Sequence, residues 1–484
     1  MGKSNKETKR YHKTRFNFHR HILFISISLF FHCSIFSQVY TQNIRGSIVD
    51  KVSQLPLAGA TVVLLNSDPV KGTTADAEGN FKLPDVPVGK QSIKISLLGF
   101  KELILQNLVV NSGKELIVAI ALEENIIQGK EVVVTAELNK NRPLNDMALV
   151  SARTFSVEET QKYAGSFNDP ARMALAYAGV VQAGDIKNDI SIRGNSPNGL
   201  VWRMEGVDIP DPNHFSYVGS SGGAISILSS QLLTNSDFLT GAFPAEYGNA
   251  LSGVFDLRLR KGNNEKQEFT AQIGFLGTDL STEGPFKKGY EGSYLINYRY
   301  STLALLAKIG VPLAPGTVFQ DLSFNVWLPT KKIGNFSVFG LGGLSSGITE
   351  GIKDSSKWVN SFDPLNTTQI SNTGVVGITH TKNLGSTSFI KTVLAVSETE
   401  NGYKEDALNT HYVALFKDDQ SYFQNKITLS STLNNKLSQK TESAFGNNCN
   451  PSRIFIFKKR RESRNQSAGT IIKCRRQLVY GTGV

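Results

Sequence analysis

Residues 190–210 read ISIRGNSPNGLVWRMEGVDIP, and residues 241–262 read GAFPAEYGNALSGVFDLRLRKG. In the first stretch two apolar runs flank Asn198-Gly199, a dipeptide that favours a tight β-hairpin because both residues tolerate positive φ. Arg193, Arg203, Glu205 and Asp208 are interleaved with Ile, Val and Trp, so one face of such strands can pack while the other forms ion pairs. Upstream, Ser156-Val157-Glu158-Glu159 has the form of a capping box that starts a short helix. Asp169-Pro170 supplies a cap and a first-turn proline for a second helix, which runs to about Tyr177 and ends at Gly179-Val180-Val181. These signals together describe an α/β unit.

Beyond it the pattern changes to longer alternating segments. Tyr294, Ile296, Tyr298 and Tyr300 share one face of a strand, with Leu295, Asn297 and Arg299 on the other. In the next, Leu322, Phe324, Val326 and Leu328 oppose Asp321, Ser323, Asn325 and Trp327. Tyr422, Gln424, Lys426 and Thr428 likewise oppose Phe423, Ile427 and Leu429. Short connections at 284–289 and 329–332 contrast with a long one at 347–368. Segments of about ten residues, apolar on one face and polar on the other, fit a barrel with lipid outside and water within. A soluble β-sandwich shows the same alternation.

Toward the N-terminus, residues 44–122 carry short alternating runs separated by turn residues, the pattern of a small β-sandwich. Asp76 and Glu78 are acidic enough to suggest calcium, but Asp76 and Gly79 in Asp-Ala-Glu-Gly-Asn also suit a plain turn. Residues 1–37 have a basic start and the apolar core HILFISISLFFHCSIFS, which predicts an export signal cleaved near Ser37–Gln38. No later stretch is long and apolar enough for a spanning helix, which needs about twenty residues.

The net charge of +11 is unevenly spread. Residues 1–37 hold seven Lys/Arg against Glu7, and residues 447–484 hold nine against Glu462. Removing these from the totals of 52 and 41 leaves 36 basic and 39 acidic residues in 38–446. The body is therefore slightly acidic, which speaks against nucleic acid as a partner. All three cysteines, Cys33, Cys449 and Cys474, also lie in those end segments, leaving the body without a disulfide framework or thiolate metal site. His214, His380 and His411 are far apart, and none has a Glu three residues on. No catalytic dyad, metal constellation or phosphate-binding loop is found, so neither an enzyme nor a cofactor is expected.

The stretches "RGSIVD", "PLAGATVVL" and "LLGF" make residues 44–122 resemble the carboxypeptidase-regulatory-like domain. The zinc peptidases behind that name need a His-x-x-Glu site absent here. The two opening stretches resemble the plug of TonB-dependent outer-membrane receptors. This resemblance implies a mainly β chain: a small β-sandwich, an α/β plug domain over 125–250 and a partial antiparallel transmembrane β-barrel over 251–446. It also implies an outer-membrane location in a Gram-negative bacterium, with lipid, an extracellular ligand and TonB as partners. Glu131, Val132, Val133, Val134, Thr135 and Ala136 would contact TonB or form the first plug strand. An extended β-branched run suits strand addition to a partner. Arg193, Glu205 and Asp208 would join the polar network that seats the plug. His214, Phe215 and Tyr217, in the Ser/Gly-rich stretch 213–223, would belong to an exposed loop that touches ligand.

Roughly ten candidate strands are legible, whereas this receptor family has about twenty-two. After Phe445 the dyad pattern stops and the basic run KKRRESRNQ begins, so residues 447–484 are expected to be an atypical basic tail, out of frame with the barrel or beyond its boundary. The chain is thus expected to end within its barrel. The resulting function is a ligand receptor and importer, incomplete in this chain. The alternative is an exported β-rich binding or adhesion protein of the cell surface.

Overall fold

The structure is a computed structural model that describes residues 40–125, 143–145, 148, 151–155, 160, 163, 169–183, 187–274, 277–302, 316–438, 441–460 and 463–482. The expected export signal, the Glu131–Ala136 stretch and the Ser156–Glu159 box lie outside these residues.

Seven strands form the N-terminal sandwich: β1 Thr41–Asp50, β2 Thr61–Leu64, β3 Gly72–Thr74, β4 Asn80–Pro87, β5 Gly89–Ser96, β6 Leu103–Val110 and β7 Leu116–Leu122. One sheet has the order β4-β1-β7 and the other β3-β2-β5-β6. Alternate residues of both turn inward, so Ile44, Ile48, Val62, Phe81, Ile93 and Ile95 form one apolar core. Asp76 builds the expected turn: its Oδ1 accepts from the backbone N–H of Asn80 at 2.7 Å, and Gly79 takes φ 76°. Residues 84–87, legible only as a connection, belong to β4 instead. Pro84 and Pro87 are tolerated there because β4 is an edge strand.

The middle domain has the short helix α1 (Pro170–Met173), capped by the Asp169 side chain, which accepts from the N–H of Ala171 at 2.9 Å. A 3-10 turn over Ala174–Ala176 then leads to Tyr177, as the cap signals predict. Its strands are β8 Ala152–Phe155, β9 Val180–Gln182, β10 Ile190–Ile192, β11 Leu200–Met204, β12 Val207–Ile209, β13 Asn213–His214, β14 Ile225–Ser226, β15 Ser236–Leu239 and β16 Gly253–Leu257. The main sheet runs β12-β11-β16-β15-β8, with β11 and β16 parallel. Trp202 and Phe255 stack at 4.5 Å in its core, and Phe238 stacks on Phe255 at 4.4 Å.

The expected Asn198-Gly199 hairpin is not formed. Pro197–Gly199 is a 3-10 turn, and β10 pairs with β9 while β11 pairs with β12 and β16. Neither Asn198 nor Gly199 takes positive φ; Gly199 instead lets Leu251 approach, where an added Cβ would lie 2.8 Å from the Leu251 Cβ. The tight hairpin turn is one step later, at Glu205 (φ 52°) and Gly206 (φ 95°), between Met204 and Val207.

The third part is a ten-stranded sheet in sequential order: β17 Glu268–Ile273, β18 Gly277–Pro285, β19 Ser293–Ser301, β20 Val318–Thr330, β21 Gly334–Thr349, β22 Leu365–Asn383, β23 Ser388–Leu408, β24 Ala414–Ser438, β25 Thr441–Arg460 and β26 Ser463–Thr482. Neighbours pair antiparallel, with β17 and β26 at the two edges, so among the described residues the sheet is a partial barrel that does not close. Backbone pairing runs across the 446/447 boundary that composition suggested, through β25 and β26. Its burial pattern is inverted relative to a soluble sheet. Asn297, Asp321, Ser323 and Asn325 are buried, while Ile296, Tyr298, Leu322, Val376, Leu394 and Ile427 are exposed. The polar face is covered by the middle domain: Phe339, Leu341, Val375 and Val393 of the sheet share a core with Trp202, Met204 and Ile227. No helix among the described residues is long and apolar enough to cross a membrane.

Candidate functional site

The seat of the middle domain on the large sheet is built around the two-stranded β13/β14 ladder. His214 and Ser226 lie on these strands because Asn213 pairs with Ser226 and His214 with Ile225. Gly223 lets the strands close, since a Cβ there would lie 2.4 Å from the His214 carbonyl oxygen. His214 points away from solvent and its Nε2 meets Asp321 Oδ2 of β20 at 2.9 Å. Arg299 of β19 donates to the same oxygen from Nε at 2.9 Å and Nη2 at 2.7 Å, and its Nη2 also donates to the Ser226 carbonyl. With Nε2 turned to Asp321, the His214 Nδ1 has no hydrogen-bond partner among the described residues. Burial lowers the His214 pKa below its ordinary range, outweighing the opposite pull of Asp321.

Two further contacts fasten this segment to the sheet. The Phe215 N–H donates to Ser345 Oγ at 3.2 Å, and Ser216 Oγ meets Ser371 Oγ at 3.1 Å. The sheet makes room with a glycine. A Cβ on Gly343 would lie 2.5 Å from Ile227 Cδ1 and 2.7 Å from His214 Cε1.

The expected seating residues divide. Glu205 bridges the two bodies: its Oε1 accepts from the Leu259 N–H at 2.8 Å, and its Oε2 meets Lys391 Nζ of β23 at 3.4 Å. Asp208 takes part through its backbone carbonyl, which accepts from Lys426 of β24 at 3.4 Å. Arg193 bonds inside the middle domain, to Ser151 Oγ at 2.8 Å and Thr240 Oγ1 at 3.4 Å. Its backbone φ of 51° places it in the turn before Gly194. Of the three expected loop residues, Tyr217 is about half exposed, with Lys187 Nζ 3.8 Å above its ring. Phe215 is half-buried and His214 is wholly buried, so only Tyr217 has the open placement expected of a ligand contact.

Several members of the seat were missed at the sequence level. Arg260 forms a bidentate pair with Glu283 of β18 at 2.7 and 2.8 Å, and Asn325 holds the Arg260 carbonyl at 2.9 Å. Inside the middle domain, Asn188 Nδ2 donates to Asp169 at 2.6 Å and to Asn213 at 2.7 Å, in a buried polar knot that also includes Asp211. Burial pushes both carboxyls up, Asp211 well above the ordinary range. Apart from the local Asn213–Asp211 contact, these partners lie 19 to 65 residues apart, and no local pattern links them.

A small sandwich, an α/β domain seated by charged pairs and a sheet with its polar face inward define the class of fold: a partial β-barrel with a domain packed against its polar face. The chain is similar to TonB-dependent transporters and carries a CarboxypepD_reg-like domain. That domain family matches residues 44–134. The TonB-dependent transporter Oar of Myxococcus xanthus is 24% identical over 301 residues, 61% of this chain and 27% of the relative. The siderophore receptor PirA of Acinetobacter baumannii is similar at 16% identity and TM-score 0.45, covering 63% of this chain and 48% of that one. The outer membrane transporter YddB of Escherichia coli matches at 10% identity and TM-score 0.46, covering 66% and 53%. The chain thus spans about a quarter of the curated relative and about half of these solved structures.

Proposed function

We propose that this chain carries the plug and part of the wall of an outer-membrane receptor of a Gram-negative bacterium. In this reading the receptor captures an extracellular ligand at the loop bearing Tyr217 and imports it with energy delivered by TonB. The observation that carries the reading is the inverted large sheet: Leu322 and Leu394 are exposed, while Asp321 is buried against His214 of the domain inside. Apolar groups outside and a polar lumen filled by a separate domain suit lipid on one side and a gated path on the other. The stretch Glu131–Ala136 is assigned to TonB contact, because an extended, β-branched segment ahead of the plug can add a strand to a partner. Export would follow cleavage of residues 1–37.

The test is made on outer-membrane fractions. The full chain should be recovered with the outer membrane, and deletion of residues 131–136 should abolish cross-linking to TonB while leaving that recovery unchanged. Recovery of the protein only in soluble fractions would sink the receptor reading and favour a surface-binding role.

A further inference from the structure

The sandwich and the large sheet grip the same short segment, residues 259–266, from two sides. This segment is the covalent tether from the end of β16 to the start of β17. From the sandwich, Arg45 Nη1 donates to Asn263 Oδ1 at 2.8 Å, and its Nη2 reaches Asn264 Oδ1 at 2.6 Å and Glu265 at 3.0 Å. Glu115 accepts from Asn263 Nδ2 at 3.0 Å and pairs with Lys266 at 3.2 Å. From the sheet, Glu283 takes both guanidinium nitrogens of Arg260 and the Asn263 N–H, the last at 3.0 Å. Gly262 lies flat on β19, where an added Cβ would fall 2.1 Å from the Tyr294 carbonyl oxygen. The two grips are joined directly, since Lys114 of the sandwich pairs with Glu283 and the Glu115 N–H donates to Glu268 at 3.1 Å. Glu115 and Glu283 are almost fully buried, so neither can lose its partners without stranding a charge. Burial pushes the Glu115 carboxyl up, but hydrogen bonds from Asn43 and Lys266 outweigh it and keep the group below the ordinary range, hence ionised.

We propose that the sandwich is an interlock on the plug: while docked, it clamps the plug's tether to the barrel wall, and undocking releases the tether. The proposal rests on the plug reading above and adds its regulation. Because coupling free energy is reciprocal, loosening the tether must also loosen the sandwich. The contacts are at the end of the sheet that carries its short turns, where Asn80 meets Glu291 at 3.2 Å and Glu124 meets Lys436 at 2.7 Å. A force or partner acting on the sandwich from that end would therefore reach the plug without touching a ligand site.

Hydrogen exchange on the full-length protein in detergent micelles tests the coupling in both directions. Arg45→Ala should raise exchange at least tenfold in residues 259–266 and in β16, although Arg45 contacts no residue of β16. Glu283→Gln, on the wall, should raise exchange in residues 111–118 of the sandwich. The core amides of Ile93 and Ile95 should stay protected in both, which distinguishes undocking from unfolding. Lys114→Gln removes a mostly buried charge that pairs with Glu283, and carries the same test should Arg45→Ala unfold the sandwich. Exchange that rises only on the mutated side would overturn the interlock. The receptor reading is scored separately by recovery with the outer membrane and by TonB cross-linking, so either idea can fail alone.

Discussion

His214 of the middle domain and Asp321 of the large sheet meet at 2.9 Å with both side chains fully buried, and Asp321 is shared with Arg299. The pair connects two bodies across 107 residues of sequence. Removing the acid would leave Arg299 buried without its counter-charge. Asp321→Ala is therefore expected to destabilise the seat by about 3–5 kcal/mol, the usual cost of breaking a buried ion pair. Protease digestion of the folded protein reads this as earlier cleavage within residues 213–226. An unchanged digestion pattern would show that the pair holds nothing.

The same pair sets a pH dependence. Burial depresses the His214 pKa in the folded state, so below about 6.5 the unfolded chain takes up a proton that the folded chain refuses. Stability from this group is present above that pH and is lost as pH falls, by about 1.4 kcal/mol per pH unit for one proton. Thermal unfolding from pH 7.5 to 5 should show the decline, and His214→Gln should flatten it. A wild-type curve as flat as that of the variant would refute the assignment.

Gly343 should not tolerate a larger residue. Gly343→Val places atoms where Ile227 Cδ1 and His214 Cε1 already sit, and overpacking of this kind costs about 1–3 kcal/mol. Adding Ile227→Ala opens space beside the new side chain and should restore part of the loss in the melting temperature. Lack of any rescue would place the strain elsewhere.

The aromatic stack of the middle domain is a third measure of its integrity. Phe255 is fully buried between Trp202 and Phe238, so Phe255→Ala should cost about 3–5 kcal/mol. Phe255→Leu, which keeps most of the volume, should cost distinctly less. Equal costs for both would argue against a packed stack.

Tyr217 is the opposite case. It is half exposed and contacts Lys187 over its ring, a contact worth about 0.5–1 kcal/mol at an exposed site. Tyr217→Ala should leave the melting temperature within about 1 °C, since exposed substitutions usually change stability little. It should weaken uptake of whichever ligand the receptor carries. Unaltered uptake would remove Tyr217 from the ligand site.

Strand faces and one helix start were legible locally. Side chains alternate across a strand with period two, so the two faces of β19, β20 and β24 could be assigned without knowing any partner. Asp169 and Pro170 act within one turn, and the helix they start is present. Asn198-Gly199 shows the limit. Its φ values were decided by what packs on Gly199, namely Leu251 from a distant segment, so the tight turn went to Glu205-Gly206. The seat was legible only in its residue types. Glu205 and Asp208 do reach the sheet, but through Lys391 and Lys426, some two hundred residues away. His214 read as a loop residue because its sequence neighbours are Ser and Gly, yet the fold carries it to Asp321 and buries both. The strand faces and the helix start were thus written in alternation and caps, which depend on neighbours in sequence, whereas the class rested on the resemblance of residues 190–210 and 241–262 to a plug. Which charges pair, which glycine makes room, and how the sandwich grips the tether were decided only by tertiary structure, because each requires two surfaces that meet only after folding.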